Sequence, residues 1–259
     1  MERGTFLHRE HAPLVCMVQA DNPDRIKELI GASLPEGVEA FGMQFCRMKE
    51  EYRNADTYRE LFALSLPHPV YVTNYRYGEN EGKTDDVLAE ELLELAECGA
   101  TLCDVMGDLF DPCPGELTKN EEAVKNQMAL IESLHAKGAE VLMSSHVFKF
   151  TPAEQVLAIA LEHQRRGADI CKIVTGAENM EQQIENLRII RLLKENLDIP
   201  FLFLCGGECR ILRRIGTEIG NCMALCVHEY DELATKSQPL LRDMVTITSL
   251  LREEHNETA

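Results

Sequence analysis

Residues 137–174 read KGAEVLMSSHVFKFTPAEQVLAIALEHQRRGADICKIV. The apolar run 139–145 has the composition of a strand. Thr151-Pro152-Ala153-Glu154 then reads as a helix start, with Thr as the cap and Pro at the first helical position. Val156, Ile159, Ala160 and His163 recur at helical spacing. Gly167 ends that helix where a left-handed residue is tolerated, and residues 169–174 form a second apolar strand. The stretch is one strand–helix–strand unit. Its joint, Arg166-Gly167-Ala168, has the same grammar as Cys98-Gly99-Ala100 and Lys137-Gly138-Ala139, so the unit repeats.

Working outward, strands are expected at 14–19, 38–45, 70–74, 100–105, 139–145, 169–174, 200–204 and 222–227. The clearest helices fall at 23–30, 85–97, 120–137, 152–166, 180–195 and 238–252. Near-continuous apolar strands fit a parallel sheet covered by helices. Eight such units in a chain of 259 residues predict an α/β fold, a (β/α)8 TIM barrel. It is read as a single domain over 1–259, with a loose N-terminal segment 1–12 and a polar tail 252–259. The rival, a doubly wound open sheet, lacks its glycine fingerprint: Gln19-Ala20-Asp21-Asn22-Pro23 follows the first strand instead.

Composition narrows the function classes. With 26 Lys+Arg and 44 Asp+Glu the formal net charge is −18, which argues against a general nucleic-acid binder. The hydrophobic fraction of 45% supports a sizeable core. No apolar run reaches bilayer length, so no membrane span is expected, and Met1-Glu2-Arg3-Gly4-Thr5-Phe6 lacks the apolar stretch of a secretory signal. The ten cysteines are therefore expected to be reduced thiols in a cytoplasmic protein.

A barrel places its active-site groups at the C-terminal strand ends. There the sequence puts Gln44, Arg47, Asn74, Arg76, Asp104, His146, Lys172 and Cys205. Lys172 interrupts an apolar strand and shares a face with Ile170 and Val174. A lysine so buried must be paired or neutral, and a neutral amine attacks a ketone to form a Schiff base. The plainer reading has Lys172 paired with a carboxylate or reaching solvent. His146, at the end of the preceding strand, is placed to move protons for such chemistry. Cys205/Cys209 and Cys222/Cys226 lack ordinary metal-knuckle spacing, and no metal is expected there. Asp104 and Asp108 could hold Mg²⁺ with Glu178 or Glu79, against a polar loop. Arg210, Arg213 and Arg214 suit capture of a phosphate or carboxylate.

Met143-Ser144-Ser145-His146-Val147-Phe148 and Asp169-Ile170-Cys171-Lys172-Ile173 resemble the type I 3-dehydroquinate dehydratases. The resemblance continues through a helix bearing Arg213, Gly216 and Gly220 to Gln238, and earlier includes Tyr75-Arg76 and Glu81-Gly82. It implies a barrel that needs no metal or cofactor, with Lys172 forming the imine and His146 as general acid/base. It also implies substrate contacts from Arg76, Arg213 and Gln238, with Glu81 in the matching Glu-Gly segment. The second strand departs from the family's Glu-x-Arg-x-Asp: Gln44 stands for the glutamate and Arg47 is the displaced arginine. Cys205 replaces a Met-rich ending, and Ala234 stands where the family has serine, with Thr235 and Ser237 beside it.

The implied activity is dehydration of 3-dehydroquinate to 3-dehydroshikimate, with a small carboxylated ketone as partner molecule. The altered positions keep open the same Schiff-base chemistry on another carboxylated or polyhydroxylated β-hydroxy ketone. A reading of another class is a catalytically silent barrel that binds small anions. Barrels of this size often associate, and a homodimer is the assembly expected where this one does.

Overall fold

The computed structural model describes residues 4–208 and 210–253. Eight parallel strands, β1 Leu14–Val18, β2 Ala40–Gln44, β3 Val70–Thr73, β4 Leu102–Met106, β5 Glu140–His146, β6 Ile170–Ala177, β7 Phe201–Gly207 and β8 Ala224–Cys226, pair in the order β7-β6-β5-β4-β3-β2-β1-β8. The helices are α1 Pro23–Ser33, α2 Ala55–Ser65, α3 Asp85–Cys98, α4 Glu121–Ala136, α5 Ala153–Arg165, α6 Met180–Asn196, α7 Leu212–Ile219 and α8 Leu241–Glu253. This is the expected (β/α)8 barrel, with every strand where its apolar run placed it to within a few residues.

The seam between β7 and β8 is closed without a regular ladder. Cys222 N–H donates to Phe201 O at 2.9 Å. The Asn221 side chain then acts as a short strand: it accepts from Phe203 N at 2.9 Å and donates to Phe203 O at 3.0 Å. Gly216 leaves the room this needs, since a Cβ there would lie 2.4 Å from the Asn221 amide nitrogen.

Period-two alternation divides the strand residues into an inner and an outer set. Val15, Met17, Ala40, Tyr71, Leu102, Leu142, Ile170, Val174, Leu202, Leu204 and Leu225 fill the barrel interior. Their odd-step neighbours, such as Cys171, Ile173, Phe201, Phe203 and Cys205, pack against the helices. Both faces are apolar because both are buried, which is why the strands read as unbroken runs. The three joint glycines, Gly99, Gly138 and Gly167, all have positive φ, of 122°, 78° and 95°, where a Cβ would clash.

Three local expectations change. Pro152, not Thr151, caps α5, and Thr151 Oγ1 donates instead to Lys149 O at 3.2 Å. α8 begins at Leu241, not Gln238, because an isolated bridge pairs Val227 with Leu240 and keeps the chain extended. α2 stands outside the helices expected, although its buried Tyr58, Leu61, Phe62 and Ser65 follow helical spacing. In the N-terminal segment the Glu140 carboxylate accepts from Phe6 N at 2.9 Å and from the Thr5 hydroxyl, and Phe6 is buried. The polar tail beyond 253, and Cys209, lie outside the described residues. No helix among the described residues is long and apolar enough to cross a membrane.

Arg166, fully buried, holds the long β4–α4 connection onto the barrel. It donates to Gly107 O at 2.8 Å, Gln127 Oε1 at 2.7 Å, Thr118 O at 2.6 Å and Glu162 Oε1 at 2.8 Å. Hydrogen bonds from Arg165 and Arg166 overcome burial and bring the Glu162 carboxyl down to about 2, so it remains ionised opposite Arg166. Removing one member of a buried, hydrogen-bonded charge pair is costly. Arg166→Ala is expected to lower unfolding stability by roughly 3–5 kcal/mol, measured by urea denaturation at neutral pH. A loss within the error of the measurement would mean that this connection is held by other contacts.

Candidate active site

Strand β6 delivers Lys172 into the barrel interior, as the alternation with Ile170 and Val174 requires. Its ammonium donates to Asp104 Oδ2 at 3.0 Å, Tyr71 Oη at 3.0 Å and Tyr75 Oη at 2.6 Å. Asp104, on β4, also accepts from Tyr75 Oη at 2.6 Å, from Tyr71 Oη, and on Oδ1 from Ser144 Oγ at 2.5 Å. Burial would raise the Asp104 carboxyl. The charges of Lys172 and His146 and the hydrogen bonds from Ser144 and Tyr71 outweigh it and hold it below its ordinary value. The phenols shift the other way: burial and the Asp104 charge push Tyr71 and Tyr75 well above theirs. They are neutral donors to an ionised carboxylate.

His146 ends β5. Ser144 is the register partner of Lys172 and His146 that of Val174, so the backbone positions of Lys172 and His146 are one two-residue step, about 7 Å, apart along the strands. Glu116 Oε2 accepts from His146 N at 3.0 Å and lies 2.7 Å from Nδ1. A carboxylate only accepts, so Nδ1 carries a proton and Nε2 is the ring position that exchanges one. Two residues beside the imidazole have left-handed backbones, Glu116 at φ 49° and Phe148 at φ 58°. The Phe148 ring stacks on the imidazole at 5.6 Å, and Tyr75 meets it edge-on at 5.2 Å. Non-glycine residues in this region are strained and are held by their surroundings. Here Ser145 Oγ secures the turn by donating to Glu116 O at 2.6 Å.

Lys172 and His146 line one cavity of about 380 Å³, a size that suits a small polar ligand. Arg213, Arg76, Gln44 and Gln238 line it as well. Among the described residues no carboxylate pairs with Arg213. Its Nε donates to Cys205 O at 3.2 Å, and burial lowers its pKa. A partly buried guanidinium with this much unused donor capacity suits a bidentate carboxylate. Arg76 is engaged by Asp85 at 2.7 and 2.8 Å, by Asp108 Oδ1 at 2.7 Å and by Asp108 O at 2.8 Å. Burial opposes its charge, and the two carboxylates more than compensate. Gln238 Oε1 is buried with no donor among the described residues, an acceptor that a ligand hydroxyl could satisfy.

The other sequence candidates separate by geometry. Gln44 accepts from Gln19 Nε2 and donates to Tyr77 Oη; Gln19 Oε1 in turn accepts from Thr235 N at 2.8 Å. This neutral chain ties the loop before α8 to β1 and β2. Arg47 is not brought to the cavity: its guanidinium lies over the Tyr77 ring at 5.1 Å, on a 3-10 turn that ends β2. Glu81 is also not brought there. It ends the turn Gly78–Asn80 and is exposed, because the buried Asn80 amide fixes that turn through Tyr75 O at 2.7 Å. Cys205 is on the outer set of β7, beside Thr175 at 3.4 Å and facing the helices. Asn74 turns outward to Glu91 and Arg53. Asp104 and Asp108 serve separate cations, and no three metal-ligating side chains converge among the described residues.

Tyr71 and Glu116, which the sequence did not mark, complete the site with Asp104. Tyr71 could have been found from its inward place on β3. Asp104 stood out as a carboxylate at a strand end, but its partner did not. Glu116 sits in a loop with no periodicity to place it.

A profile of the family described as type I 3-dehydroquinase matches residues 50–255. The 3-dehydroquinate dehydratase of Alkaliphilus oremlandii is 36% identical over 93 residues, 35% of this chain and 36% of that protein. That of Geobacillus thermodenitrificans is 24% identical over 233 residues, 87% of this chain and 86% of the other. For the first relatives matched, the aligned part spans only 36%, 53% and 45% of their length. The crystal structure of type I 3-dehydroquinate dehydratase from Clostridium difficile with covalently modified comenic acid superposes with a TM-score of 0.78, at 16% identity, covering 95% of this chain and 94% of that one. At that identity the superposition speaks for the fold.

Asp104→Asn keeps the shape of the site and removes its negative charge. The folded-state pKa of Asp104 is depressed, so its stabilisation is present above the unfolded value and is lost as pH falls through the folded one. The variant is expected to be less stable at pH 7 by roughly 3–5 kcal/mol. Its gap to the wild type should narrow under acid as the wild-type carboxyl protonates. Urea titrations at several pH values read both effects; a pH-independent gap would remove the Lys172–Asp104 charge pair as its cause.

Proposed function

The chain belongs to the type I 3-dehydroquinase family, and from that premise we propose that it dehydrates 3-dehydroquinate to 3-dehydroshikimate and water through a Schiff base on Lys172. The observation that carries this reading is the pairing, in one cavity, of a buried lysine amine with a histidine oriented by Glu116. The neutral amine adds to the ketone, water leaves, and the iminium becomes an electron sink. The neighbouring carbon–hydrogen bond is thereby acidified, which lets a base as weak as imidazole remove the proton. His146 Nε2 takes that proton and returns one to the departing β-hydroxyl, while Glu116 stabilises the imidazolium between the two events. Arg213 holds the substrate carboxylate and Gln238 Oε1 accepts from a substrate hydroxyl. The iminium itself supplies the activation, so the reaction as drawn needs no metal. Residence in the reducing cytoplasm suits nine described cysteines that no disulfide joins.

A second reading keeps this chemistry and changes the ketone. It is favoured by the uncharged Gln19–Gln44–Thr235 chain and by the engagement of Arg76 with two carboxylates. Together these leave Arg213 as the arginine lining the cavity without a carboxylate partner among the described residues. A site built for polar groups discriminates strongly when those groups change.

Borohydride reduction in the presence of 3-dehydroquinate is expected to add one substrate-derived mass to the protein, mapped to Lys172. Lys172→Ala should remove both the adduct and turnover. Glu116→Gln should lower kcat by about 10²-fold or more, because the imidazolium loses its counter-charge. Absence of a 3-dehydroquinate adduct, with adduct formation from another β-hydroxy ketone acid, would transfer the assignment to the second reading. Absence of any ketone adduct at Lys172 would reject both.

A further inference from the structure

The Lys172 ammonium has three hydrogens, and three protein oxygens accept from it: Asp104 Oδ2, Tyr71 Oη and Tyr75 Oη. An amine held in this way is protonated and cannot attack a carbonyl, so one proton has to leave before chemistry begins. Among the described residues Nζ makes its hydrogen bonds to these three groups and none to His146. The shorter contacts lead elsewhere. Nζ is 2.6 Å from Tyr75 Oη, and Tyr75 Oη is 2.6 Å from Asp104 Oδ2; the direct distance from Nζ to Asp104 is 3.0 Å. Tyr71 touches the same two groups, but its side chain is fully buried at 0% exposure. Tyr75, at 8%, stands with its ring edge on His146, between the amine and the histidine.

We propose that Tyr75 is a further catalytic residue, a phenol relay that carries a proton from the Lys172 ammonium to Asp104 and later returns it to the departing water. The inference rests on the Schiff-base reading of Lys172 and goes beyond it. In the first step an Nζ–H bond breaks as a new O–H bond forms on Tyr75, while the original Tyr75 hydroxyl proton passes to Asp104 Oδ2. The products are a neutral amine, a neutral phenol and a neutral carboxyl group. After the amine adds to the ketone, one nitrogen-bound hydrogen moves to the carbinolamine oxygen. The proton stored on Asp104 then returns through Tyr75 to that oxygen, and water departs. One hydrogen stays on the iminium, so all three ammonium hydrogens are accounted for and Asp104 is again a carboxylate. The charged or titratable groups in contact with Nζ are Asp104 from β4 and Tyr71 and Tyr75 from β3 and the turn after it; His146 from β5, Glu116, Arg76, Tyr77 and Arg213 of α7 line the same cavity.

The test reads the amine without its substrate. Formaldehyde with cyanoborohydride methylates lysines through an imine, and peptide mass mapping follows Lys172 alone over time and pH. Methylation of Lys172 in Tyr75→Phe is expected to be about 100-fold slower than in the wild type at pH 7. The deficit should shrink as pH rises, when hydroxide removes the ammonium proton directly. Tyr71→Phe should lose less than tenfold. A Tyr75→Phe protein that methylates at the wild-type rate with the wild-type pH profile overturns the relay, and so does a wild type whose Lys172 is unreactive at neutral pH. If Tyr75→Phe does not fold, 3-fluorotyrosine at position 75 keeps both hydrogen bonds and makes the phenol more acidic. Its pH profile should move to lower pH, and an unmoved profile overturns the relay. A wild type that methylates through the relay but forms no adduct with 3-dehydroquinate sinks the substrate assignment and leaves the relay standing.

Discussion

An ammonium and a carboxylate share the middle of this barrel, and the surrounding architecture is arranged around that fact. Lys172 and Asp104 sit on β6 and β4, separated by β5, with their side chains almost wholly enclosed. Removing two ions from water costs several kcal/mol each, and their attraction offsets this only when the remaining hydrogen-bonding capacity is also met. Here it is. Tyr71, Tyr75 and Ser144 give Asp104 three neutral donors, and the two phenol oxygens accept from Lys172. The pair is therefore stable enough to stay in place and sufficiently shut off from water to keep its proton inside the cluster.

The histidine side of the site depends on a different support. Glu116 reaches His146 from the β4–α4 connection, a segment with little regular structure. Its position follows from contacts below it: Arg166 grips the carbonyls of Gly107 and Thr118, and Ser145 bonds to Glu116 O. Ser145 also meets His163, whose imidazole burial brings down to about 3, so it stays neutral. A buried arginine in the helical layer thus fixes the tautomer of a histidine in the cavity. The left-handed backbones of Glu116 and Phe148 place strain beside the reactive ring.

The opposite wall is electrically quiet. Gln19, Gln44, Thr235 and Tyr77 form a chain of neutral groups from β1 and β2 to the loop before α8. Arg213 faces the cavity with its Nε bonded only to a backbone carbonyl among the described residues. One side of the cavity thus manages protons and the other holds a single cation. A carboxylated ketone bound with its acid group at Arg213 and its carbonyl at Lys172 would span the two.

Much of this could be read from the sequence. The apolar runs and the joints at Gly99, Gly138 and Gly167 determined the barrel, because a parallel strand buried on both faces must be apolar throughout and a helix-to-strand turn needs a left-handed residue. The same alternation determined that Lys172 points inward, since period two leaves it no other face. Applied to Phe201–Gly207 it also turns Cys205 outward, and the strand-end position alone was misleading there. What only the tertiary structure decided is which groups meet. Asp104 lies 68 positions from Lys172, Tyr75 97 and Tyr71 101, and no local pattern encodes such distances. Glu81 and Glu116 are both loop carboxylates, and the family resemblance pointed to the first. The turn fixed by Asn80 sends Glu81 to solvent, and the connection held by Arg166 carries Glu116 to the imidazole. Local propensity sets the face of each residue, but the partner across the barrel is set by closure of the sheet, which brings together strands far apart in the chain.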